Sequence, residues 1–208
     1  LMSGTSLDGV DVSIIESDGI SEYSSILDRY FEYDSKLIKK IHEIRDKISN
    51  PKDLNKYYEE IKALEKDITL FNYKAVNETI KITNSKINVI GLHGQTIFHD
   101  SKKKITKQLG DGKLLSQLSK KKVVYNFRQN DLDNGGQGAP LASIFHNVIA
   151  NKISKEFGLR FPIGILNIGG IANVTMTVDE KKLWNKDKIY SYDIGPGNCL
   201  IDEWIRKN

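Results

Sequence analysis

A single cysteine, Cys199, excludes an intramolecular disulfide and any cysteine-built metal cage. Apolar runs are short, and none reaches the ~18 residues that a membrane span requires. No signal-peptide pattern opens the chain, so the cytoplasm is the expected compartment, and Leu1 in first place suggests that the natural start lies upstream. A dominant charge is missing too. The 31 basic and 27 acidic residues leave a net charge of +4, too slight a bias to imply a nucleic-acid partner. The compact basic runs "SKKK" (101–104) and "SKKKVV" (119–124) carry no interleaved aromatics and read as solvated loop. There is no G-x-x-x-x-G-K-[ST] and no G-x-G-x-x-G after a strand, which excludes a P-loop or dinucleotide fingerprint. There is also no H-E-x-x-H, which with the lone cysteine argues against zinc.

Against these absences stands an unusual opening. In "LMSGTSLDGVDVSII", seven of the first eleven residues are Gly, Ser, Thr or Asp. A structural turn needs one or two such residues, so the surplus points to a ligand site. Leu1 and Met2 read as the end of a first strand, and Val10, Val12 and Ile14 alternate with polar residues as a half-buried second one. A third extended segment follows in "SSILDRYFEYD". Ser35 is the expected cap of a helix over 36–48, which ends before Pro51. Leu54, Tyr57, Ile61, Leu64, Ile68, Phe71 and Ala75 then recur at spacings of three and four, the core stripe of a long helix.

Strand "INVIGL" (87–92), loop "HGQT" (93–96), turn "KQLGDG" (107–112), a short helix and strand "KKVVYNF" (121–127) follow. "RQNDLDNGGQGAP" (128–140) reads as a polar glycine-rich loop, with Pro140 near the start of a helix to about Asn151. After Pro162 the pattern restarts. "IGILNIGGIANVTMTV" (163–178) is again strand, glycine turn, strand, and "KIYSYDIGPGN" (188–198) adds a third strand and another glycine turn. The expected class is α/β, duplicated, with a first domain over 1–161 and the start of a second over 162–208. That second copy stops before helices that would cover its sheet, so the chain reads as part of something longer.

Each glycine-rich loop follows an expected strand, where α/β proteins place ligands. Glycines allow close backbone approach, with N–H groups converging on phosphate oxygens. Thr5 and Ser6 can add hydroxyl donors, and Asp8 or Asp11 can hold Mg²⁺. Singly, each loop could be only a tight turn; five in one chain make that reading poor. Among the histidines, His42 reads as solvated, His93 opens "HGQT", and His99 and His146 fit satisfied core groups better than ligands.

The blocks "MSGTSLDGVD", "GLHGQTIFH", "QLGDG", "FRQNDLDNGGQGAPL", "LNIGGIANVT" and "DIGPGN" resemble, in order, the signature segments of the anhydro-N-acetylmuramic acid kinase family. That family belongs to the actin-like, sugar-kinase and Hsp70-type ATPase superfamily, with two ribonuclease-H-like domains flanking a nucleotide cleft. The resemblance implies ATP-dependent, hydrolytic opening of 1,6-anhydro-N-acetylmuramic acid with phosphorylation of O6, in peptidoglycan recycling. It implies a first phosphate loop from Gly4, Thr5, Ser6, Leu7, Asp8, Gly9, Val10 and Asp11, with Asp8 and Asp11 toward magnesium. A second phosphate loop would use Asn167, Gly169, Gly170 and Asn173, and a further cleft-lining turn Asp193, Gly195, Gly197 and Asn198. Asp131 falls at the general base, where the plainer alternative is an aspartate capping a turn. His93, Gln95, Thr96, Arg128, Gly136 and Gln137 fall among sugar contacts. Expected partners are therefore the amino sugar and ATP, with no nucleic acid or membrane and a homodimer left open. Members of the family are longer, and the adenosine-binding segment is expected outside this chain. The competing readings are a non-catalytic actin-like module and a superfamily kinase for another sugar; "HGQT" with "GGQGAPL" argues against the latter.

Overall fold

The computed structural model describes residues 1–178 and 189–207, so Lys188, read as the start of the last strand, lies outside the described residues. The chain divides into two compact units, Leu1–Ile14 with Ile26–Gly138 and Ile15–Ser25 with Ala139–Asn208. Both mix helices and strands. Among the described residues no helix is long and apolar enough to cross a membrane.

β1 (Gly9–Ser17) and β2 (Tyr23–Glu32) form a hairpin whose base belongs to the first unit and whose tip, Ile15–Ser25, belongs to the second. The Asp18 carboxylate closes its connection by accepting from the amides of Ile20, Ser21 and Glu22. Leu1 and Met2, read as the end of a first strand, are bonded on both sides. Met2 and Asp11 exchange backbone bonds of 2.9 and 2.8 Å. Leu1 donates its nitrogen to Gly91 O at 2.8 Å and accepts from His93 N at 3.1 Å. These residues join β1 to β3 (Val89–Leu92), which pairs in parallel with β6 (Lys122–Tyr125).

Helix α1 (Ser35–Lys47) begins where expected, but its cap is Asp34, whose carboxylate accepts from Leu37 N at 2.8 Å; Ser35 is already helical. The long stripe is split in two. Pro51 starts α2 (Pro51–Lys56) inside an Asn50/Asp53 capping box, and α3 (Tyr58–Lys81) follows after Tyr57. Ile61, Leu64, Ile68 and Ala75 are buried with Leu37, Ile41 and Ile44 of α1, as the periodicity requires.

Three elements of the first unit were not expected. Gln95 and Thr96 do not belong to a loop: they start β4 (Gln95–Asp100), which pairs antiparallel with β5 (Ile105–Leu109). The only turn left in "HGQT" is at His93–Gly94. Gly94 has φ +77, and a Cβ there would meet Leu109 O at 2.5 Å. Asp111 caps α4 (Gly112–Ser119), accepting from Lys113 N and Leu114 N. The polar stretch after β6 opens as helix α5 (Phe127–Asp133), so Asp131 is helical and not in a loop.

The second unit holds α6 (Ser143–Phe157), β7 (Ile163–Ile168), β8 (Ile171–Thr177), β9 (Ile189–Pro196) and α7 (Cys199–Lys207). Pro140 precedes α6 by three residues, and α6 continues past Asn151 to Phe157. The three strands form one antiparallel sheet in sequence order. One face does have a covering helix: α6 packs on the sheet, and buried His146 hydrogen-bonds Thr175 Oγ1 at 2.7 Å. His146 is thus a satisfied core group. The opposite face leaves Leu166, Ile168, Tyr190 and Tyr192 more than half exposed.

Two substitutions check this packing. Ile68 is 0% exposed, and Ile68→Ala should cost about 2–5 kcal/mol in urea unfolding, whereas Leu70→Ala, on a residue 43% exposed, should cost less than about 1 kcal/mol. Gly94→Ala should cost at least about 1 kcal/mol through its backbone conformation alone, with further loss from contact with Leu109 O.

Candidate active site

Three segments of the first unit converge. The loop Ser3–Asp8 springs from the bridge at Met2 and returns into β1. Its anchors are apolar or backbone in kind: Leu7 is buried at φ +63, Val10 is buried, and a Cβ on Gly9 would run into Phe31 O. Ser3 is also buried, its hydroxyl 3.1 Å from Tyr33 Oη. Thr5, Asp8 and Asp11 are exposed, with Gly4 and Ser6 half-buried between them. Leu7, Gly9 and Val10 therefore shape the loop, and the hydroxyl and carboxylate residues line its outer side. Burial pushes the Asp11 carboxyl above its ordinary range, and the neighbouring Asp8 charge pushes it further.

Gln95 ties this loop to the second segment. Fully buried at 0% exposure, it donates Nε2 to Gly4 O at 2.8 Å, while its Oε1 has no hydrogen-bond partner among the described residues. Thr96 Oγ1 accepts from Gln108 Nε2 at 3.3 Å. His93 Nδ1 lies 2.7 Å from Gly94 O, an acceptor only, and Arg128 Nε, a donor only, lies 2.9 Å from His93 Nε2. Both contacts demand the neutral Nδ1–H tautomer. Burial, assisted by the Arg128 charge, drops the His93 pKa to about 4, so the ring is neutral at neutral pH. Burial also lowers the Arg128 guanidinium below its ordinary value.

The third segment is α5 and the turn after it. Arg128 Nη1 donates to Gly138 O at 2.7 Å, and Gly138 N donates to Asp131 Oδ2 at 2.8 Å. Gly136 N donates to Asp131 O at 2.8 Å, and a Cβ on Gly136 would run into the Asp131 carboxylate. Only glycine fits that position. Gln137 is exposed at the turn's outer edge.

Several supporting residues carried no sequence signal. Gln129 accepts from Thr106 N at 3.1 Å and donates to Lys104 O and Asp133 Oδ1, which fastens α5 to the β4–β5 hairpin. Glu65 on α3 accepts from Lys107 Nζ at 2.7 Å and Gly110 N at 3.3 Å, and Thr69 Oγ1 accepts from Asp111 N at 2.9 Å. His99, expected as a core group, is exposed instead; it reaches the Gly138 turn, where a Cβ on Gly138 would lie 2.9 Å from its Cε1, and partial desolvation lowers its pKa. Glu65 and Thr69 share one face of α3, but their partners lie more than 40 positions away, so only the folded contacts identify their role.

The remaining candidates lie in the second unit. Asn167 pairs with Asn173 across β7–β8, and Asn173 with Asp193 across β8–β9. Cross-strand partners share a face, so the three form one polar row. Beside it, Gly197 N donates to Gly170 O at 2.9 Å and Asn198 N to Gly169 O at 2.8 Å, joining the two glycine turns. Gly195 lies at the end of β9, opposite Ala172, at a register shift. The Asn198 Oδ1 is buried without a partner among the described residues. No group of three or more His, Cys, Asp or Glu side chains that could hold a metal occurs among the described residues.

A family model described as anhydro-N-acetylmuramic acid kinase matches residues 1–208. A curated protein of that name from Pelagibacter ubique (strain HTCC1062) is 53% identical over 210 residues, covering 100% of this chain and 53% of the relative. Proteins of the same name from Agrobacterium fabrum and Gluconobacter oxydans are 35% and 37% identical, covering 99% and 98% of this chain and 54% of each relative. The chain thus spans about half the length of the curated relatives it matches. With a match along its whole length, the chain belongs to the anhydro-N-acetylmuramic acid kinase family.

Proposed function

We propose that the protein is an ATP-dependent kinase that opens 1,6-anhydro-N-acetylmuramic acid with water and phosphorylates the released O6. The product is N-acetylmuramic acid 6-phosphate, an intermediate of cytoplasmic peptidoglycan recycling. The observation that carries this reading, in a chain of this family, is the setting of Asp131. Its carboxylate is oriented by Gly138 N–H beside a glycine turn that admits a ligand close to the backbone. Water is a weak nucleophile at neutral pH. As its oxygen bonds to the anomeric carbon, Asp131 takes the proton. The bond from that carbon to O6 breaks, O6 takes the γ-phosphoryl group of ATP, and ADP leaves.

The sugar side of the site is drawn from two of the three segments, Gly136 and Gln137 in the turn with Arg128 bonded to it, and His93, Gln95 and Thr96 at and just before the start of β4. Gly4, Thr5, Ser6, Asp8 and Asp11 would serve the phosphates, as would the row Asn167, Asn173 and Asp193 with the turns at Gly169–Gly170 and Gly195–Asn198. Asp8 and Asp11 fit magnesium in donor chemistry: they are neighbouring carboxylates, and the Asp11 carboxyl, raised by burial first and by the Asp8 charge second, would be relieved by a divalent cation. The ion would supply neutralisation of phosphate charge. The strand order β2–β1–(Leu1–Met2)–β3–β6, with a hairpin on one side and a parallel pair on the other, supports a ribonuclease-H-like domain of the actin-like type. On this reading 1–161 is the first such domain, with the helices between β2 and β3 as an insertion, and 162–208 opens the second.

Asp131→Asn, made in the product of the whole gene, keeps shape and hydrogen bonding but removes the base. Turnover of the anhydro sugar should fall at least ~10²-fold while ATP and sugar still bind. Near-normal turnover would remove Asp131 from the role.

A further inference from the structure

We infer that Arg128 and His93 are positioning residues that fix the Asp131 carboxylate through the backbone of Gly138, and that they do not bind the sugar. This rests on Asp131 as the base. Asp131 and the turn are bonded at two points, Gly136 N to its carbonyl and Gly138 N to its Oδ2, both at 2.8 Å. The second bond holds only if the Gln137–Gly138 peptide keeps its orientation, and Arg128 acts on the next peptide, Gly138–Ala139, across the same Cα. The Gln137–Gly138 peptide lies in a segment with three glycines in four residues, the chain type with most backbone freedom to lose.

Arg128 removes that freedom. It stands one helical turn before Asp131 on α5 and places Nη1 on Gly138 O at 2.7 Å, on the opposite side of the residue from the N–H that meets Asp131. A guanidinium can hold such an angle because its donors form a rigid planar fork. The second prong needs a fixed acceptor, and Nε finds His93 Nε2 at 2.9 Å. The ring is itself fixed by Nδ1–H on Gly94 O at 2.7 Å, and Gly94 is seated against Leu109. Burial keeps the imidazole neutral, so Nε2 retains its lone pair at neutral pH. The sequence of contacts thus runs from the β4–β5 hairpin to the reacting carboxylate. With Oδ2 committed to Gly138, Oδ1 is the oxygen that takes the proton. Two donors of Arg128 are spent inside the chain on partners within 2.9 Å, which is the mark of a structural clamp more than of a ligand contact.

The test uses the product of the whole gene and Arg128→Lys, which retains charge but cannot reach both partners in a fork. The expected result is a kcat about 10- to 100-fold lower with the sugar KM within about threefold of wild type, the cost of a misplaced group. In an Asp131→Asn background the same change should cost almost nothing further, because residues acting as a unit are not additive. Amide exchange at Gly138, slow in wild type, should become fast in Arg128→Lys, a readout independent of activity. A raised sugar KM with unchanged kcat, a full multiplicative loss in the Asp131→Asn background, or unchanged Gly138 exchange would each overturn the inference. Full activity of Asp131→Asn would bring down the base reading and this inference with it. An inactive Asp131→Asn with additive losses at Arg128 brings down the inference alone.

Discussion

The first unit depends on the seam that Leu1 and Met2 form. Leu1 and Met2 are hydrogen-bonded on one side to β1 and on the other to β3, and without them the hairpin and the parallel pair would be separate ribbons. Two-stranded ribbons are marginal in water, whereas a continuous sheet buries one face against helices. Leu1 also packs against both apolar clusters of the unit, the larger around Ile41 and Ile68 and the smaller around Leu92 and Leu115. The seam fixes the site as well. His93 N is one of its donors, and the Ser3–Asp8 loop leaves directly from Met2, so two segments of the candidate site share one origin.

Charge at the site is arranged by burial more than by ion pairing. The salt bridges of the described residues are mostly between exposed side chains, such as Lys40 with Asp67 and Lys47 with Glu60, and pairs of that kind contribute little. The exception is Lys107 with Glu65, which is partly shielded and shares its carboxylate oxygen with Gly110 N. Around Asp131 the pattern is different: a half-buried guanidinium faces a neutral imidazole and a carbonyl.

What the sequence made legible were features with a local cause. The stripe on α3, the glycine turn between β7 and β8, and the short helix after "KQLGDG" each follow from residues within a few positions of one another. The misreadings share a different cause. α5 has no apolar period and a composition suited to turns, yet it is helical because Leu132 is buried and Gln129 and Arg128 are held from outside. Gln95 looked like loop because a polar residue beside glycine usually is one; its burial is stabilised by a hydrogen bond to a residue 91 positions away. At Asp34–Ser35 two good caps stand side by side, and composition cannot choose between them. The family blocks located the candidate residues, but which atom each one holds was written only in the fold.

Most of those holds end on main chain. Gln95 grips a carbonyl of Gly4, His93 that of Gly94, Arg128 that of Gly138, and Asp131 an amide of Gly138. Such partners offer no side-chain identity, yet Gly94 and Gly138 sit at positive φ with no room for a Cβ, so the path of the chain there depends on glycine. A shift of that path by an insertion or deletion of one residue would break the contacts as surely. The site is therefore written in backbone path more than in side-chain pairs, and transplanting its four side chains to another scaffold would leave behind everything they hold.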